Sequence, residues 1–180
     1  PHSIEWFKAQ IESLDALPAK LTALREFRIE LVKRVHEEIV KSVDEYRRLY
    51  KPVQDFVKSA EQMDMHLPLD FDVRIEELDF QEQFLNQINR QSRGSFSGLD
   101  ESNQRMRSLL KEADFGDLDS TLKFLDTIDD LLHFDRREHG GDRETKIVDQ
   151  LRRGGEPQDI YDYLYGMSYL WPRYSLTYDK

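Results

Sequence analysis

Apolar residues return three and four positions apart along the first third of the chain. From Val32 the row runs through Val35, Ile39, Val43, Tyr46, Leu49, Val53 and Phe56. Charged residues fill the gaps, among them Lys33, Arg34, Glu37, Glu38, Lys41, Asp44, Glu45, Arg47 and Arg48. One narrow apolar seam on an otherwise charged helix seeks a partner helix rather than a broad globular core. The run from Ala19 to Ala60 is about forty residues, or about 60 Å of helix. That exceeds the diameter of a small domain, so part of this rod is expected to project.

A shorter pattern precedes it. Ile4, Phe7, Ile11 and Leu14 share one helical face, and Ser3 suits the N-cap. Pro18 follows Leu17, which a proline pushes out of the helical region. A short helix, a break and a long helix predict an αα-hairpin or the stump of an antiparallel coiled coil. Pro52 lies inside the seam and removes a backbone donor. The apolar phase survives to Phe56, so a kink or a tight restart is expected there, where the rod meets a body.

Beyond the rod the period changes. Leu67, Leu69, Phe71, Val73 and Ile75 alternate with Pro68, Asp70, Asp72, Arg74 and Glu76, which predicts a strand near 67–76. Asp79 and Glu82 suggest a capping box for a helix over 80–89. The Arg/Ser/Gly-rich stretch 90–98 reads as a flexible loop. Helices are expected over 100–113, with Met106, Leu109 and Leu110 inward, and over 117–134, with an aspartate-lined outer face. Two shorter ones follow, over 145–153 and over 158–165, the latter closed by Gly166. Tyr174, Leu176 and Tyr178 alternate with polar residues, which predicts a second strand near 173–179. Two strands alone are marginal, so they either pair with each other under the helices or lack their true neighbours. The fold class expected is mainly α (α+β): a helical hairpin or coiled-coil arm over 3–60 on a small helical body over 61–180.

Composition adjusts this picture. The 180 residues carry 26 Lys and Arg, 36 Asp and Glu and no cysteine, with a mean hydropathy of −0.74. Disulfides and zinc–thiolate sites are therefore excluded. Ten Phe, eight Tyr and two Trp are too many for a disordered chain. Charge is uneven: residues 20–58 sum to +3, so the remainder carries −13 of the total −10. The rod is the basic element and the body acidic, which argues against a broad nucleic-acid footprint. No apolar run approaches a membrane span and no signal peptide is visible, so a cytoplasmic location is expected. The opening Pro1-His2-Ser3, without Met, reads as a cut point within a longer protein.

The chemistry is sparse. No G-x-x-x-x-G-K-[ST], G-x-G-x-x-G, G-x-S-x-G or H-E-x-x-H occurs, so no catalytic or cofactor-binding residue is assigned. His133, Asp135, Glu138 and His139 are ligand-type residues at short spacing, but Arg136 and Arg137 among them oppose a cation, and a solvated helix end is the simpler reading. His66 reads as a strand-entry residue and His36 as exposed. Arg90 and Arg93, with Phe96 in their loop, suit a phosphate or a stacked base. On the rod, Arg47 and Arg48 belong to a basic stripe that serves nucleic acid or simply solvates a coiled coil. The interaction candidates are thus Val32, Val35, Ile39, Val43, Tyr46 and Leu49 in the seam, with Arg47, Arg48, Arg90 and Arg93 beside them.

The final stretch, DIYDYLYGMSYLWPRYSLTYDK, has a helix, a glycine, aromatic residues and a strand ending in Tyr-Asp-Lys. It resembles the segment before the signature motif of SMC/RecN-like ABC-type ATPases of the DNA-repair class. The order coiled coil, strand, helices, pre-signature strand agrees with that family. The resemblance implies an arm emerging from a split ATPase head, linking its halves, with the remainder of the head, DNA through the parent, or a second copy as partners. ATP and magnesium are implied for the parent only. The Walker A, signature and Walker B residues of the family have no match here. The rival expectation is a stand-alone helical interaction module that dimerises or docks a partner helix through the 32–56 seam.

Overall fold

A computed structural model of the chain describes residues 3–61, 69–137 and 143–178. Helix α1 (Ile4–Asp15) starts at Ser3, whose hydroxyl accepts the Trp6 N–H at 3.3 Å, as a capping serine should. Helix α2 (Leu17–Glu61) spans 45 residues. The expected reversal at Pro18 does not occur. Ala16 keeps right-handed helical angles (φ −79, ψ −15), and the Lys20 N–H donates to the Ala16 carbonyl at 3.1 Å. Pro18 falls in the first turn of α2, where its missing donor costs no helical bond, so the chain continues as one rod. Pro52 is likewise carried inside α2, consistent with an apolar phase that runs past it.

The body begins with strand β1 (Leu69–Glu77), which pairs antiparallel with the last strand, β4 (Leu170–Tyr178), from Leu69↔Tyr178 to Glu77↔Leu170. Of the alternatives for the two strands, the structure takes mutual pairing. Val73 is buried and Ile75 half-buried, while Arg74 and Glu76 face water, as period-two alternation requires. Arg74 pairs with Asp72, and Arg173 with Glu76 at 2.8 Å across the strands. Leu67, Pro68 and His66 lie outside the described residues.

Between the strands come α3 (Phe80–Gln87), α4 (Leu99–Glu112) and α5 (Leu118–His133). They are followed by the two-residue strands β2 (Phe134–Asp135) and β3 (Arg143–Glu144), then α6 (Ile147–Gln150) and α7 (Pro157–Gly166). Phe80 is the hub of the core. Its ring meets Phe84, Phe124, Tyr163 and Tyr169 at centroid distances of 5.4, 5.3, 5.6 and 4.4 Å. Edge-to-face and offset pairs of this kind add about 0.5–1.5 kcal/mol each beyond area burial. Burial, with Glu77 and Asp79 nearby, pushes the Tyr163 hydroxyl up to about 12.

Several local expectations are corrected. Asp79 sits in the left-handed region (φ 57) and makes no side-chain cap bond. The Phe80 N–H at the start of α3 is met instead by Glu77, whose Oε2 accepts it at 2.9 Å. Gly166 stays in α7 and Met167 takes the left-handed angle (φ 50), a cost its complete burial offsets. Helix α6 is shorter than expected because the chain is extended at Leu151 and bridges Ile88.

The loop over 88–98 is tethered, not loose. Asn89 N–H donates to the Gln150 carbonyl at 2.7 Å, and Arg152 N–H to the Gln87 carbonyl at 2.9 Å. Ser95 donates its hydroxyl to the Phe134 carbonyl. Gly94 lies so close to the Gln150 side chain that a Cβ would come within 2.1 Å of Oε1. Among the described residues no helix is long and apolar enough to cross a membrane.

Glu77→Ala should cost about 1 kcal/mol in chemical denaturation through loss of the α3 cap, whereas Asp79→Asn, which keeps a residue tolerant of φ 57, should change stability by less than about 0.5 kcal/mol. Equal losses would return the cap to Asp79.

Candidate interaction surface of the rod

The rod presents two rows. One faces the body. Val32 and Val43 are buried, Ile39 is half-buried against the core, and Val57 closes the row. Full burial of each valine stabilises by about 1.5–3 kcal/mol. His36 is in phase with them and is buried rather than exposed. Its Nε2–H donates to the Phe115 carbonyl at 2.9 Å, which satisfies both groups where no water reaches them.

At the upper edge of this row Arg28 reaches into the body. Its guanidinium lies 4.0 Å from the Tyr165 ring centroid and 5.6 Å from that of Tyr161. One of its nitrogens is 3.4 Å from Asp129 Oδ2. His133 Nε2 lies 3.0 Å from the Tyr161 hydroxyl and 3.7 Å from Asp129 Oδ1. Burial first, then the Asp129 carboxylate, holds the Tyr161 and Tyr165 hydroxyls well above their ordinary range. Both phenols therefore stay neutral, and their rings receive the cation without a competing charge.

At the lower edge Arg47 forks. One nitrogen pairs with Asp44 at 3.1 Å and the other donates to the Val73 carbonyl of β1 at 3.0 Å. Tyr46 and Tyr50 each place a ring 6.4 Å from Tyr174 of β4. The rod is thus held at two levels, by Arg28 on α5 and α7 and by Arg47 on the sheet.

The second row remains exposed. Leu49 is 72% exposed, Phe56 66% and Val53 49%, and Val35 sits at the rim. From residue 3 to residue 27, every residue whose burial is described is exposed except Ala16, with Ile4, Ile11, Leu14, Leu21 and Leu24 among them. The seam candidates are therefore divided. Val32, Ile39 and Val43 serve the protein's own core; Val35, Tyr46 and Leu49 are accessible. Arg48 is exposed beside Arg47.

The loop candidates fare differently. Arg93 is exposed and Arg90 half-buried, but Phe96 is 1% exposed and packs edge-on against Phe84 at 5.2 Å. A stacked base has no ring to meet there. Asp135 is held by Arg137 at 2.6 Å, and that hydrogen bond keeps its carboxyl below the usual carboxylate range. His133 is turned to Tyr161 and Asp135 to Arg137, so these two do not converge; Glu138 and His139 lie outside the described residues. Among the described residues no three His, Cys, Asp or Glu gather as a metal site.

The fold defines a mainly α protein whose distinguishing surface is a long helix anchored along one row and open along another. Comparison with family models, curated proteins and solved structures finds no match for this chain.

The Arg28 cluster was missed in the sequence. Its signal is phase: Arg28 stands four residues before Val32 and His36 four after, so two polar side chains interrupt the same row. Arg28→Lys keeps the charge but loses the planar stack on Tyr165. It should lower stability by about 1–2 kcal/mol in urea denaturation; a lysine variant as stable as the parent would show that charge alone suffices.

Proposed function

We propose that this chain is the arm and part of the head lobe of an SMC/RecN-like ABC-type ATPase, of the DNA-repair or DNA-associated defence class, acting in the cytoplasm. In this reading its role is not catalytic. It links the two halves of the ATPase head and relays nucleotide-driven head closure along the rod to DNA or a protein partner. The remainder of the head is its first partner. ATP and magnesium would be held by parts of that head outside this chain, since no phosphate cradle lies in the sequence.

One observation supports the reading most. The strand that carries the family resemblance, β4, rests on the rod through Tyr174 against Tyr46 and Tyr50, and its partner β1 is held by Arg47. A displacement of that strand is thereby passed to the rod, and the reverse. A second reading, a stand-alone helical interaction module, is favoured by the exposed Leu49, Val53 and Phe56. It needs no nucleotide coupling.

The test is ATP turnover by the full-length parent carrying Arg47→Ala together with Tyr46→Ala. The coupled reading expects turnover to fall about tenfold, close to 1.4 kcal/mol in activation free energy, with nucleotide affinity unchanged. Unaltered turnover in a folded variant would remove the ATPase-arm reading and leave the interaction module.

A further inference from the structure

The body leaves the upper rod bare. Ile4, Phe7, Ile11, Leu14, Pro18 and Leu21 keep the three-and-four spacing of a coiled-coil seam, which carries on through Arg25 and Arg28 to Val32. From Arg28 onward the body fills this row. Before Arg28, among the described residues, nothing covers it. Arg28 is the first residue of α2 that is even half-buried, and the seam's large side chains run from 51% exposed at Leu21 to 76% at Ile4. We propose that the tip of a second copy, laid antiparallel, covers this stretch, with the twofold axis between residues 12 and 13. The inference goes beyond both readings above, which concern the lower rod and the sheet.

The body selects the direction. A parallel pair would carry the second rod down over Val32, Ile39 and Val43, into space the body already fills. An antiparallel pair joined at the tips sends the two bodies to opposite ends. Residues whose numbers sum to 25 then share a layer: Ile4 with Leu21, Phe7 with Pro18 and Ile11 with Leu14. Each layer joins an a position to a d position and is made twice, as an isologous contact requires. Ser3 of the second copy reaches only the level of residue 22, about 9 Å along the axis from Arg28. The second rod therefore ends short of the body.

Charge picks this register from its neighbours. In an antiparallel pair the e positions of the two helices lie side by side. Here they set Lys8 beside Asp15 of the second copy, an opposite-charge pair made twice. A slip of one heptad toward the tips sets Lys8 against Lys8. A slip the other way sets Asp15 against Asp15 and drives Ile4 onto Arg28, where the body begins. Leu17 and Leu24, exposed at the flanking g positions, widen the apolar strip. The overlap buries on the order of 1,200 Å² in all, the lower bound for a specific interface, which sets the test at tens of micromolar.

Sedimentation of the whole chain at that concentration should give twice the mass of 21.5 kDa. Ile11→Asp, at an exposed central layer, should return it to a monomer with helix content unchanged. Lys8→Glu should weaken the dimer about tenfold, and Lys8→Glu combined with Asp15→Lys should restore it. The chain contains no cysteine, so a cross-link reports only the positions chosen. Under mild oxidation, a chain carrying Ile4→Cys mixed with one carrying Leu21→Cys should form a mixed disulfide dimer, while neither links to itself. A monomeric mass for the parent, a dimer indifferent to Ile11→Asp or to Lys8→Glu, or self-linking of the Ile4→Cys chain would each overturn the proposal.

Discussion

A helix of 45 residues is about 67 Å long, and the body beside it is too small to cover it. The rest of the architecture follows from that mismatch. One row of the rod, from Arg28 through Val32, His36, Ile39 and Val43 to Val57, is taken into the body and becomes part of its core. Everything before it, and the neighbouring row along the whole length, is left to solvent or to a partner. Most helical stability in proteins comes from packing an amphipathic face rather than from propensity. The covered half of the rod has that support within the chain, and the uncovered half must find it elsewhere.

The two clamps differ in kind. Arg28 combines an ion pair with Asp129 and a stack on two buried tyrosines, so it ties the rod to the aromatic side of the body. Arg47 holds a strand carbonyl, with tyrosines stacking beside it, so it ties the rod to the sheet. The sheet has only two strands and would be marginal alone. Leaning on the rod is what gives it a buried face at Val73. The coupling between strand and rod that the functional proposal uses is therefore also a structural necessity.

Much of this was legible in the residues. The helical period from Val32 to Phe56, the period-two stretch at Val73 and Ile75, and the Leu125–Ile128–Leu132 spacing of α5 each announce an element that the structure contains, because each pattern reports a face that must be buried. A reversal was expected at Pro18 because proline interrupts a helix, yet the first turn of the next helix, where it also fits, needs no reversal, and Ala16 keeps helical angles. The α3 cap was misassigned for a related reason: Glu77 and Asp79 both suit it chemically, and only the left-handed turn at Asp79 decides between them. The stretch 90–98 read as a flexible loop from its glycines and serines, yet Phe96 and Ser95 anchor it through contacts that no local pattern encodes. The site divided in the same way. The seam residues were visible as a row, but which of them the chain keeps for itself depends on where the body docks.

The central claim is that residues 4–61 form one rod that runs past Pro18 without reversing. Spin labels at Lys8→Cys and Lys51→Cys, both exposed positions in a chain without native cysteine, test it by dipolar distance measurement with labelled chains diluted in unlabelled ones. A continuous rod separates the two positions by about 60–65 Å. A hairpin turning at Pro18 would bring Lys8 alongside residue 28 and shorten the distance to about 35 Å, and that result would contradict the account.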